Sequence, residues 1–188
     1  MPVIRMCFLI VIYNFSVLNK NDFLLLYCVW YDDIMKTVHF VCRGNSFRSR
    51  IAEAYLKSLN IKGVTVISSG TVAKEYSNVN GLLLPYTKEV LVAHNLLKYD
   101  KSKWDQLTPS RVSNKDITIF IGQQSYKEAK AKKMIHNNYT VWDIPDINEN
   151  YMGTLTPSPT DKNFKDFLDL TYNRIKLAVD NMLLKQLV

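Results

Sequence analysis

Cys42 and Arg48 stand at the two ends of Cys42-Arg43-Gly44-Asn45-Ser46-Phe47-Arg48, and Ser49 follows at once. A cysteine can supply a thiolate nucleophile, and an arginine a planar fork that grips an oxyanion through two N–H groups. The five residues between them are enough to curl into a loop with inward backbone N–H groups, whose positive dipoles suit a tetrahedral oxyanion. Gly44 and Asn45 tolerate the backbone angles that such a loop demands. The apolar run Val38-His39-Phe40-Val41 before Cys42 reads as a strand, and an amphipathic helix begins at Ser49. The loop would therefore join the end of a strand to the start of a helix. Inward N–H groups, a helix N-terminus and Arg48 all favour negative charge, so Cys42 is expected as a thiolate beside a bound phosphate. Ser49 is placed to donate a hydrogen bond to that sulfur.

A thiolate that attacks phosphorus expels an alkoxide or phenoxide, so a carboxylic acid must stand over the leaving oxygen. In parallel sheets ligands bind beyond the carboxyl ends of the strands, and the stretch Trp142-Asp143-Ile144-Pro145-Asp146 follows a short strand-like run. Two aspartates, Asp143 and Asp146, compete for the role on this ground, and Asp143 also suits a turn-capping carboxylate.

Cys42 to Ser49, followed by Ile51-Ala52-Glu53-Ala54, resembles the low-molecular-weight protein tyrosine phosphatase family. The resemblance implies Cys42 as nucleophile, Arg48 as phosphate-binding arginine and Asp146 as general acid. It further implies that Arg43, Gly44, Asn45, Ser46, Phe47 and Ser49 line the substrate site, that no metal or cofactor takes part, and that the substrate is a phosphotyrosine protein or a small aryl phosphate. Ser68-Ser69-Gly70-Thr71 resembles the family's element that borders the loop. The family usually carries an apolar residue where Ser46 stands, often a cysteine where Phe47 stands, and prolines where Arg50 and Ile147 stand. Related arsenate reductases share the loop but relay oxidation to further cysteines, and no cysteine follows Cys42. A phosphate-binding regulatory protein with weak catalysis is a rival from another class. Trp104 and Tyr151 are candidate walls for an aryl group.

The elements that must position these residues follow from periodicity. Ile51, Ala52, Tyr55, Leu56 and Leu59 recur at helical spacing and predict a helix over 49–60. Lys62-Gly63 turns the chain into a β-branched strand over 64–68, a right-handed parallel βαβ unit. Val90, Leu91, His94 and Leu97 predict a helix over 87–97, with His94 a packing residue. Residues 117–121 form the clearest buried strand and belong beside the first one. A basic helix over 125–134, a fourth strand over 139–142 and a long helix carrying Phe164, Phe167, Leu168, Thr171, Ile175, Ala178, Val179 and Met182 complete the chain. The fold class expected is α/β: a doubly wound four-stranded parallel sheet with helices on both faces, in a single domain.

A length of 188 residues supports one compact domain, and 47% hydrophobic with 22% charged residues is a globular composition. The net charge of +7 draws anionic partners without choosing among them. Lys127, Lys130, Lys132 and Lys133 lack an aromatic platform in the sequence, so a nucleic-acid partner is not expected. Residues 1–34 read as an apolar extension, whose runs are shorter than the roughly 18–20 residues that span a bilayer. Met35 is the expected natural start, with the domain over 35–188, and membrane association through 1–34 is the less favoured reading. Cys7 and Cys28 both lie in the extension, which leaves Cys42 without a disulfide partner and points to a reducing, cytoplasmic compartment.

Overall fold

A computed structural model describes residues 36–75, 83–101, 103–112, 117–136, 138–146 and 162–186, all within the compact unit Met35–Val188. Expectations for residues 1–34, Ile147 and Tyr151 lie outside the described residues. The strands β1 (Lys36–Cys42), β2 (Val64–Gly70), β3 (Ile117–Ile121) and β4 (Tyr139–Trp142) form one parallel sheet in the order β2-β1-β3-β4. The helices are α1 (Arg48–Ser58), α2 (Pro85–Ala93), α3 (Gln123–Ala131) and α4 (Lys162–Gln186). This is the doubly wound α/β architecture that the sequence predicts. Elements begin or end a few residues from the expected points because N-caps and final turns carry weak sequence signals. The stretch after α2, for example, closes as a separate 3₁₀ turn at Leu97–Tyr99.

Central position explains β1. Both of its neighbours are strands, and from Val38 to Cys42 every residue is buried. On one face Val38, Phe40, Cys42, Ile119 and Ile121 meet α1, α2 and α4 in the larger core. The last helix lays Phe164, Phe167, Leu168, Tyr172, Ile175 and Val179 on that face, at the three- and four-residue spacing of one helical stripe. On the other face Val41 and Phe120 pack with Leu107, Val112 and Ala129 of α3 in a smaller core. His94, as expected, packs: its ring stacks on Tyr172 with centroids 3.4 Å apart.

The basic helix departs from expectation in one respect. Tyr126 stacks on Tyr139 of β4, centroids 5.4 Å apart, and the Lys130 ammonium lies 6.0 Å from the Tyr126 ring. A separation of 13 positions along the chain hid this aromatic pair from the sequence. Among the described residues no helix is long and apolar enough to cross a membrane.

Candidate active site

Cys42 is the last residue of β1, and the chain from Arg43 to Phe47 turns back so that α1 starts at Arg48. The turn needs Asn45 in a left-handed conformation, φ 51°, which asparagine tolerates better than most side chains. It also needs Gly70 at the end of β2, where a Cβ would lie 2.7 Å from Asn45 N and clash with the Arg43 carbonyl. The chain just past β2 fastens the loop, with Thr71 N–H donating to Cys42 O and Val72 N–H to Arg43 O, each at 3.0 Å. Among the described residues no group accepts from the backbone N–H of Gly44, Asn45, Ser46 or Phe47. Those donors, with the N-terminus of α1, remain available to an anion.

Hydrogen bonds beneath the loop fix where protons point. The Asp105 N–H donates to Asn45 Oδ1 at 2.7 Å, so the amide nitrogen of Asn45 faces Ser49 Oγ at 2.9 Å and Ser68 Oγ at 2.7 Å. Ser68 in turn donates to Glu53 Oε2 at 2.6 Å. Because Ser49 Oγ already accepts from Asn45, its own proton is directed to Cys42 Sγ, 3.0 Å away. The Ser49 hydroxyl is thus placed to donate to the sulfur. Lys57 at 2.6 Å and Lys101 at 3.6 Å balance the buried Glu53 carboxylate. Lys101 also donates to the Ser68 carbonyl at 2.6 Å, so the segment after α2 is stitched to the site.

Arg48 is 1% exposed and reaches across the sheet end to the segment after β4. Its Nη1 donates to the Ile144 carbonyl at 2.7 Å, and its Nη2 forms an ion pair with Asp146. Gly122, which precedes α3 with φ 95°, leaves room for the guanidinium, since a Cβ would strike Arg48 Nη1. Of the two competing aspartates, Asp146 is therefore brought to the loop, while Asp143 is exposed. At the mouth, Arg43 Nε donates to Glu128 Oε1 of α3 at 2.8 Å. Burial works to raise the Glu128 carboxyl, but bonds from Thr71, Gln124 and Arg43 outweigh it and hold it below the usual carboxylate range.

Phe47 turns inward to the larger core, 3% exposed, with its ring edge-on to Tyr86 at 5.3 Å. Ser46 is held from its carbonyl, which accepts from Thr87 Oγ1 at 2.7 Å. Tyr86, Thr87, Gly122 and the Glu53–Lys101 pair are site neighbours that the sequence reading did not pick out. Only the start of α2 at Pro85 could have flagged Tyr86 and Thr87, because a proline opens a helix whose N-terminus must face something. Trp104 is half-buried, and no described contact joins it to Cys42 or Arg48.

The sequence profile of low molecular weight phosphotyrosine protein phosphatases matches residues 37–187. This chain belongs to that family. Among curated proteins, a probable low molecular weight protein-tyrosine-phosphatase EpsP of Ralstonia solanacearum is 31% identical over 99 residues, 53% of this chain and 64% of the relative. Its counterpart in Ralstonia nicotianae is 29% identical over the same shares. The alignment thus spans less than two thirds of those relatives. Among solved structures the fold is similar to Vibrio vulnificus Wzb in complex with benzylphosphonate, with TM-score 0.61, 19% identity, and 80% of this chain and 99% of that one covered. It is also similar to the Escherichia coli K30 tyrosine phosphatase Wzb in complex with sulphate, with TM-score 0.60, 16% identity and coverage of 80% and 97%. Family membership agrees with the four-stranded parallel sheet and with a loop that begins on a cysteine.

Proposed function

We propose that this phosphatase-family chain hydrolyses phosphomonoesters, with phosphotyrosine or a related aryl phosphate as substrate, and that the catalytic domain is residues 35–188. The observation that carries this reading is the meeting of Asp146 with Arg48, which puts a carboxyl group beside a loop that already holds a thiol and unpaired N–H groups. The substrate phosphate displaces Asp146 from Arg48 and takes up the guanidinium and the N–H groups of Gly44 to Phe47, and the freed Asp146 carboxylate takes up a proton from solvent. Cys42 Sγ then attacks phosphorus while the bond to the ester oxygen breaks, and Asp146 gives its proton to that oxygen. In the second step Asp146 takes a proton from water, the water oxygen attacks phosphorus, and the S–P bond breaks to return the thiolate. The Ser49 proton, aimed at Cys42 by Asn45 and Glu53, stabilises that leaving sulfur. Arg48 and the loop N–H groups bind the equatorial oxygens through both transition states.

An oxyanion at this loop is supported by structural neighbours of the same fold that were solved with benzylphosphonate and with sulphate, both tetrahedral. A reducing compartment such as the cytoplasm suits the free thiol of Cys42. The test is turnover of an aryl phosphate by the wild-type chain and by Cys42→Ser. Wild-type turnover with complete loss in the variant is expected. Turnover that survives Cys42→Ser overturns the mechanism, and phosphate binding without wild-type turnover leaves a phosphate-binding protein instead.

A further inference from the structure

We propose that Tyr86 is a substrate-positioning residue, whose phenol hydroxyl donates a hydrogen bond to the phosphoryl group held over Cys42. The inference deepens the phosphomonoester reading and rests on it. Tyr86 is the second residue of α2, and that helix start is fastened to the loop by Thr87 Oγ1 donating to the Ser46 carbonyl at 2.7 Å. Its ring is clamped from two sides, edge-on to Phe47 at 5.3 Å and edge-on to Phe164 of α4 at 5.6 Å. Such a ring has little freedom, so its hydroxyl is held in place at low entropic cost. Among the described residues no group pairs with that hydroxyl. A partly buried phenol normally finds a partner.

The surroundings indicate which partner is missing. After burial, the negative charges of Asp146 and Cys42 are what push the Tyr86 phenol above its ordinary value. The ring lies against Phe47 of the loop, near both of those groups, and its hydroxyl stays protonated as a donor throughout the neutral range. A donor beside a nest of unpaired N–H groups suits a phosphoryl oxygen.

The test compares the wild-type chain with Tyr86→Phe, which keeps both ring contacts and removes one oxygen. Affinity for inorganic phosphate, measured by calorimetry, is expected to fall about tenfold, the usual effect of losing a hydrogen bond to a charged group. With an aryl phosphate the variant is expected to show a raised KM, and phosphate should inhibit it more weakly. Phosphate affinity within twofold of wild type overturns the inference, as does a wild-type chain that binds no phosphate. The same calorimetry on a Cys42→Ser background separates this outcome from the larger reading: weaker binding after Tyr86→Phe without any wild-type turnover upholds Tyr86 and overturns hydrolysis.

Discussion

The two halves of the site are built differently. On the nucleophile side Asn45, Ser49 and Ser68 are 0% exposed and Glu53 is 3% exposed, and they form a connected chain of hydrogen bonds that ends at Cys42 Sγ. On the acid side Asp146 comes from the short segment that follows β4, with its side chain 23% exposed and its carboxylate on Arg48. Chemistry explains the contrast. In the proposed mechanism the sulfur attacks and leaves from one position, so its surroundings serve best when fixed. The proposed acid must leave Arg48, give a proton to one oxygen and later take one from another, so a less enclosed carboxyl suits it. Rigid and movable halves are thus a division of labour within one loop-and-sheet end.

Breaking the movable half tests this contrast most strongly. Asp146→Asn keeps the size of the side chain and removes the titratable proton, so kcat for a poor leaving group such as phenyl phosphate should fall by about 10²–10⁴. The loss should shrink for a leaving group that needs no proton. Phosphate affinity should hold or rise, because Arg48 no longer surrenders an ion pair to bind it. Stability to urea should fall by about 1–3 kcal/mol, because the buried Arg48 loses its charge partner but keeps a polar neighbour. A full loss that does not depend on the leaving group would mean that Asp146 orients Arg48 and donates nothing.

The halves also differ in how plainly the sequence shows them. The loop and its flanking strand and helix were legible because Cys42, Gly44, Asn45 and Arg48 fall within one short stretch, and local backbone chemistry ties them together. All four strands were found, and the stretch Trp142 to Asp146 by its place after the last of them, while the choice of Asp146 over Asp143 came from the family resemblance. What sequence could not show is contact between distant segments. Nothing near Glu53 reveals that Lys101 will balance it, and nothing near Arg48 shows that Gly122 clears its path. Arg50 is the sharpest case. Where the family usually has proline, its guanidinium is 1% exposed and grips Asp100 through two nitrogens, with Nε to Oδ1 at 2.8 Å. An arginine in the first turn of a helix reads as a solvated charge until its partner fifty residues away is known.

That pair offers the next way to break the comparison, this time on the rigid side. It binds the first turn of α1 to the segment whose Asp105 N–H holds Asn45 in place. Arg50→Met strands a buried carboxylate and should cost about 3–5 kcal/mol of stability, read from urea unfolding. Asp100→Leu should cost a similar amount, and the double variant should recover much of it, since an apolar pair of like volume can replace a buried ion pair. Both single variants should lose activity along with stability. A single variant within about 1 kcal/mol of wild type would show that the pair does not brace the rigid half.

Acid offers the gentlest probe of the same side, through His39. This residue lies on β1 three positions before Cys42, on the face turned to the smaller core, and its Nε2 is 2.7 Å from Ser69 Oγ. Burial lowers its pKa from 6.5 to about 4, the positive charges of Arg111 and Lys101 add to this, and the Arg111 backbone and Asp105 oppose it. The folded chain therefore keeps the ring neutral over a range in which the unfolded chain binds a proton. Stability from this source is complete above pH 6.5 and drains away as pH falls from 6.5 towards 4. At pH 4.5 the loss should be about 2–3 kcal/mol relative to pH 7. Carboxylates titrate over the same interval, so the measurement is the difference between wild type and His39→Gln, each unfolded in urea at both pH values. The glutamine variant, which cannot gain a charge beside Arg111 and Lys101, should lose about 2–3 kcal/mol less than wild type on acidification. Equal losses in the two proteins would mean that the ring is already solvated on the Arg111 side, and that the segment bracing Asn45 is looser than its hydrogen bonds imply.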